Sequence, residues 1–198
     1  MFTILKPSRK IIEAFLTNAR HLDISYAEAG ATSGRIPDGY TIDHNRVKLG
    51  SGSQTFRKAV AAVRSWKMFD LGWVQLFPPH TSITAGETVA VLIRHLGFWS
   101  LNACRIVYVI DEQHRFGFAY GTLLEHAEQG EERFSVEWER EGDSVFYDIL
   151  AFSKPRQWQA RVARPVSRML QKRFARDSLL AMKHAVDERD QRPERVYT

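Results

Sequence analysis

The stretch 116–134, FGFAYGTLLEHAEQGEERF, constrains the fold more than any other part of the chain. Residues 115–123 alternate as a strand does. Phe116, Phe118, Tyr120 and Thr122 point to one face; Gly117, Ala119 and Gly121 point to the other. One face is aromatic and the other almost bare. Glycine weakens a strand and marks a bend, a bulge or the close approach of another element. The bare run therefore requires either a helix packed very close to the sheet or a face that lines a hollow. A polar connection, 124–130, follows. Residues 131–139 alternate again, Phe134, Val136 and Trp138 against Ser135, Glu137 and Glu139, as in a half-buried antiparallel strand. The unit reads as a hairpin whose acidic loop gathers Glu125, Glu128, Glu131 and Glu132 around His126.

The same period runs through the centre of the chain. Short strands are expected at 40–49, 73–77, 88–95, 104–110 and 144–152, with Pro78-Pro79, Gly97, residues 111–114 and Glu141-Gly142-Asp143 as breaks. Helical spacing appears at 7–22 (Ile12, Phe15, Leu16, Ala19, Leu22) and at 54–69 (Phe56, Val60, Val63, Trp66), the latter with Ser53 as its expected N-cap. From Pro155 onward the pattern is helical, with Pro165 suited to a first turn or a kink. Val162, Val166, Met169, Leu170 and Phe174 form its apolar stripe.

The order is helix, strand, helix, about six antiparallel strands and one long helix, which argues for α+β. Six to seven strands in a meander form a curved sheet that must bury one face. The final helix carries the only long apolar stripe left to cover it. The expected fold is a helix-grip, a curved antiparallel sheet wrapped around a long C-terminal helix. A closed β-barrel with peripheral helices is the alternative. The expected organisation is a single domain over 1–198. In it, 1–40 is a helix and loop packed on the core, 41–186 is the helix-grip core and 187–198 is a frayed tail.

Several function classes are narrowed by composition. The lone cysteine, Cys104, excludes an intrachain disulfide and reads as a buried, inert thiol. No apolar run is long enough to span a bilayer and the N-terminus lacks a signal-peptide layout, so a cytoplasmic protein is expected. The histidines show no metal-ligand spacing, and neither a metal nor another cofactor is expected. The net charge is +5. It is concentrated within 154–176, which holds eight basic residues and no acidic one.

Separate pieces of the chain resemble one known family. GFAYGTL at 117–123, followed by His126 and Gly130-Glu131-Glu132, is similar to the signature of the family known as domain of unknown function 1990. So are Ser25-Tyr26 with Gly30 and Thr32, Gly39-Tyr40, Leu49-Gly50 with Gly52, Trp66 with Gly72-Trp73, NACRIVY at 102–108 and QKRFARDS at 171–178. Leu124, Glu125 and Ala127 depart from that family's proline- and glycine-containing loop. The resemblance implies a relation to the START/polyketide-cyclase-like helix-grip superfamily. Members of that superfamily commonly hold lipids, sterols or other hydrophobic molecules between sheet and helix.

Three functional readings follow. The leading one is binding, without catalysis, of a small hydrophobic or lipid-like ligand between sheet and helix. Its candidate lining is Phe116, Phe118, Tyr120, Gly121, Tyr147 and Ile149. Arg105 and Asp148 are its candidate polar anchors; a buried Asp148 wants a cation, and Arg105 or Arg94 is the expected one. The second reading is a small hydrolase- or cyclase-like enzyme, with Tyr120, His126, Glu131 and Glu132 as an acid/base cluster. The third is an adaptor for anionic lipid through Arg164, Arg168, Lys172 and Arg176. Nucleic acid is the less expected target of that face, because no aromatic interleaving accompanies the charge.

Overall fold

The computed structural model describes residues 1–126, 128–155 and 164–187, with Arg164 described for its backbone alone. The expectations placed on Val162 and on the tail beyond Asp187 lie outside the described residues. The elements are β1 (Phe2–Thr3), α1 (Arg9–Ala19), β2 (Thr41–Ser51), α2 (Gly52–Arg64), β3 (Val74–Phe77), β4 (Thr88–His95), β5 (Phe98–Glu112), β6 (Arg115–Thr122), β7 (Glu128–Glu139), β8 (Ser144–Pro155) and α3 (Arg164–Asp187). Among the described residues no helix is long and apolar enough to cross a membrane.

One antiparallel sheet runs in the order β2-β8-β7-β6-β5-β4-β3. It is a meander from β3 to β8, extended by β2, and it is open, with β2 and β3 at its edges. The closed-barrel alternative is thereby corrected. β2 shields its edge with Asp43, His44, Arg46 and Lys48. β1 pairs with β5 through Phe2↔Ser100, just beyond the Cys104↔Thr122 pair at which the β5–β6 ladder ends. The strands are longer than their apolar cores suggest, because ladder hydrogen bonds continue past the alternating residues. β7 begins at Glu128, inside the expected loop, and β5 begins at Phe98. The second helix stops at Arg64. Trp66 takes a left-handed φ of 55°, and a separate 3-10 turn, Lys67–Phe69, follows.

The inner face of the sheet carries the core. Phe118 pairs with Phe134 and Phe134 with Ile149, so the three stand side by side. Phe69 and Trp66 cover them, at 5.5 Å from Phe134 and 4.7 Å from Phe118 between ring centroids. α2 adds Phe56, Ala59 and Val63, and α3 adds Met182 and Val186. Each large side chain fully buried here contributes about 1.5–3 kcal/mol. The outer face is covered at one side by α1, which Ser8 caps by accepting the Ile11 N–H. Ile12 and Leu16 pack on Ala90, Leu92 and Leu101.

The bare run of β6 lies on that outer face, and neither expected explanation holds for it. A Cβ at Gly117 would lie 2.3 Å from the Phe134 carbonyl oxygen of the adjacent strand. A Cβ at Gly121 would lie 2.2 Å from the Tyr26 hydroxyl. The close approach comes from β7 and from the loop after α1. Gly121→Ala is therefore expected to cost about 2 kcal/mol by displacing Tyr26. Urea unfolding checks this, and unchanged stability would show that Tyr26 can step aside.

Candidate functional site

α3 does not meet the sheet evenly. Its C-terminal half is packed tightly, with Ala175, Ser178, Met182 and Val186 buried and Ser178 Oγ 3.0 Å from the Tyr147 hydroxyl. Its N-terminal half stands off, leaving Val166 and Met169 exposed. A cavity of about 300 Å³ lies between this half and the sheet. Trp73, Val91, Ile93, Leu170 and Phe174 supply much of its apolar lining. Polar side chains tether the helix over it. Arg168 makes a two-pronged ion pair with Asp43 of β2, with Nη2 2.7 Å from Oδ1. Gln171 donates to Glu128 Oε2 at 2.6 Å and to Ser153 Oγ at 3.3 Å, and Ser167 donates to Glu128 Oε1.

One wall of the cavity is ionisable. The Tyr120↔Glu132 pair of the β6–β7 ladder turns both side chains inward, and the Tyr120 hydroxyl donates to Glu132 Oε2 at 2.9 Å. Burial pushes the Glu132 carboxyl up to about 7; the Tyr120 bond opposes this and the charge of Asp43 adds to it. Burial likewise holds the Tyr120 phenol and the Cys104 thiol protonated. His126 Nδ1 accepts the Glu128 N–H at 3.0 Å, which assigns the proton of the neutral ring to Nε2. Burial lowers this imidazole to about 4. Glu132 and His126 both line the cavity, and neither side chain is fully covered. Near neutral pH the wall thus offers a carboxyl poised to gain or lose a proton and an uncharged N–H donor.

Glu131 borders the cavity, but its carboxylate is engaged on the other side of the strand. Oε2 accepts from the Tyr26 hydroxyl at 2.7 Å and the Gly30 N–H at 2.6 Å. Oε1 accepts from the Thr32 N–H at 2.9 Å and from the Thr32 hydroxyl. That hydroxyl in turn accepts from Tyr108 at 2.7 Å. Ser25 ties the start of the same loop to Thr122 through its N–H, 2.9 Å from the carbonyl oxygen, and through its hydroxyl, 2.6 Å from Oγ1. Residues 25–32 are thereby latched to the outer face of the sheet.

The structure redistributes the expected site residues. Tyr120, His126 and Glu132 come together at the cavity; Glu131 becomes the latch. Of the expected ligand contacts, Tyr120 lines the cavity, whereas Phe116, Phe118, Tyr147 and Ile149 lie in the solid part of the inner core. Gly121, Arg105 and Asp148 belong to the outer face. Asp148 is buried there, with Arg133 Nη2 at 3.0 Å and His44 Nε2 at 2.6 Å, which corrects the expected pairing with Arg105 or Arg94. Arg105 instead donates to the carbonyl oxygens of Ala19 and Arg20 at the end of α1. The basic face of α3 is also partly neutralised, Arg168 by Asp43 and Arg173 and Arg176 by Asp177. Lys172 is exposed, and the Arg164 side chain lies outside the described residues. Among the described residues, no three histidine, cysteine or acidic side chains are placed to hold a metal ion.

Sequence reasoning missed Asp43 and Ser167, and it gave Glu128 of the acidic loop and Gln171 of the QKRFARDS stretch no part in the site. Ser167 and Gln171 lie four apart on one face of α3 and flank Leu170 in its apolar stripe, a spacing that marks polar positions turned inward.

The profile of the family described as Domain of unknown function (DUF1990) matches residues 25–181, beginning at the first residue of the latched loop. A UPF0548 protein of Dictyostelium discoideum is 36% identical over 207 residues, covering 94% of this chain and 96% of the relative. A UPF0548 protein of Deinococcus radiodurans is 36% identical over 190 residues, covering 89% and 94%. Among solved structures, Ara h 8.0201, a helix-grip protein, superposes with a TM-score of 0.50 at 11% identity, over 75% of this chain and 98% of that one. At that identity the likeness shows the fold alone. With the open antiparallel sheet, the gripping helix and a family match that spans the latch, the cavity and most of α3, the chain belongs to the DUF1990, or UPF0548, family and has the helix-grip fold.

Proposed function

We propose that this protein binds one small, mostly apolar molecule beneath the N-terminal half of α3. The observation that carries the reading is the unfilled space itself. The neighbouring inner face is packed ring against ring, yet about 300 Å³ is left open beside it. That volume lies at the small end of the range for ligand sites. The helix over it is held at this end mainly by polar tethers, which can exchange with water more readily than an apolar seam can.

An uncharged apolar dye, N-phenyl-1-naphthylamine, is expected to bind with one-to-one stoichiometry and an affinity on the order of micromolar. Leu170→Trp, which places an indole in the cavity, is expected to weaken that binding about tenfold or more. Circular dichroism verifies the fold of the variant. A folded Leu170→Trp protein that binds dye like the parent would place the dye elsewhere and end the reading.

A second reading, general acid–base catalysis, is favoured by one observation. Glu132 is a half-buried carboxyl whose pKa is pushed up to about 7, hydrogen-bonded to a buried tyrosine at a cavity wall. It narrows the expected cluster of Tyr120, His126, Glu131 and Glu132 to Tyr120 and Glu132. Loss of turnover in Glu132→Gln with dye binding retained would establish it; a parent protein inactive across carbonyl and ester substrates that occupy the cavity would not support it.

A further inference from the structure

The charges around the cavity are one-sided. Its described lining includes Asp43, Glu128, Glu131 and Glu132, and no lysine or arginine. Three of these carboxylates are already engaged: Asp43 by Arg168, Glu128 by Ser167 and Gln171, and Glu131 by the latched loop. Glu132 is different. Its Oε2 accepts from Tyr120, and its Oε1 has no hydrogen-bond partner among the described residues. Among the described residues, the ionisable groups around it are Tyr120 of β6, Cys104 of β5, Tyr147 of β8 and Asp43 of β2 with its Arg168 partner on α3, and the neutral His126 lines the same cavity. None of them is a free cation.

We propose that the molecule held in the cavity carries a protonated nitrogen, an ammonium group on an apolar body, seated against Glu132 Oε1. This rests on the ligand-binding reading above and specifies its chemistry. A carboxylate half-covered at the wall of an apolar cavity is costly to ionise without a cation. An ammonium donor relieves that cost through a charge-assisted hydrogen bond. Asn102 and Ser153, which also line the cavity, carry oxygen acceptors for the remaining N–H groups. The apolar body then lies against Trp73, Val91, Ile93, Leu170 and Phe174. An anionic ligand of the same shape would meet carboxylates at this wall, whose described lining holds no lysine or arginine. Because the empty site holds the Glu132 proton up to about pH 7, binding of the cation releases that proton below this pH.

Three probes with one hydrocarbon chain separate the possibilities by titration calorimetry: n-octylamine, n-octanol and octanoate. At pH 8 octylamine is expected to bind about tenfold tighter than octanol, with octanoate weakest. Its affinity is expected to rise about tenfold between pH 6 and pH 8, while that of octanol stays level. Glu132→Gln, its fold verified by circular dichroism, is expected to lose about tenfold for octylamine and with it the preference for octylamine over octanol. Octanol and octylamine binding equally, or an unchanged octylamine affinity in Glu132→Gln, would overturn the cation while leaving the cavity a binding site. Failure of all three probes to bind would overturn both readings.

Discussion

Replacing Glu131 with alanine is expected to lower the stability of the folded chain by about 4 kcal/mol, among the largest effects of any single substitution in this protein. The carboxylate is buried and accepts four hydrogen bonds from residues about a hundred positions away in the chain. Two of the donors are backbone N–H groups, which cannot be removed and need a partner when buried. Hydrogen bonds to a charged group contribute about 1.5–3 kcal/mol each. Relaxation of the loop into water recovers part of the total, so the expected loss is well below the sum. In a chain of this length it corresponds to a melting temperature lower by roughly 12 °C. Glu131→Gln is expected to be nearly as damaging, because its amide group would present a donor to donors. Urea unfolding measures the stability. Limited proteolysis within 24–40 reports whether the loop has lifted. A loss below about 1 kcal/mol with the loop still protected would show that the Ser25 contacts and the Arg133 Nη1 bond to the Thr32 carbonyl oxygen, at 2.6 Å, hold it without the carboxylate.

Glu132→Gln is expected to act in the opposite direction. A carboxyl raised from 4.5 to about 7 in the folded state costs the protein up to about 3 kcal/mol once it is ionised. Below pH 4.5 both states are protonated and the group is neutral in its effect. As pH rises from 4.5 to 7 the unfolded chain releases a proton that the folded chain keeps, so stability falls; above 7 the full cost is present. The glutamine variant removes this slope and can still accept the Tyr120 hydrogen bond. Its advantage is thus expected to be absent near pH 4 and greatest at pH 8. His126 has the reverse dependence. With its pKa lowered to about 4, stability is lost as pH falls from 6.5 through 4. The variant should therefore keep the acid-side loss and lack the fall in stability between pH 4.5 and 7. Urea midpoints taken across this range check it, and parallel profiles for the two proteins would show that Glu132 is ionised in the folded state at a normal pH.

The helix-grip order was legible because periods of two and of 3.6 are local properties of the backbone. The parity of Phe134, Val136 and Trp138 also places Glu132 on the inner side and Glu131 on the outer side, so the division of the two carboxylates was available in the pattern. Ladder hydrogen bonds that extend strands past their alternating residues leave no comparable mark. Strand ends and β1 were therefore not legible.

What the sequence determined by itself is the sheet, its aromatic face and the helix that covers it, all written in spacings of a few residues. What only the tertiary structure decided is what meets each polar group. Tyr26 reaches Glu131 across 105 positions, and Asp43 reaches Arg168 across 125. Asp148 finds Arg133 on the next strand and His44 on the edge strand in place of Arg105 or Arg94. Whether a glycine face meets a helix, a hollow or a tyrosine hydroxyl depends on how the sheet curves and where a distant loop returns to it. No local pattern encodes that, because the energy of a buried polar group is set by the partner that folding brings to it.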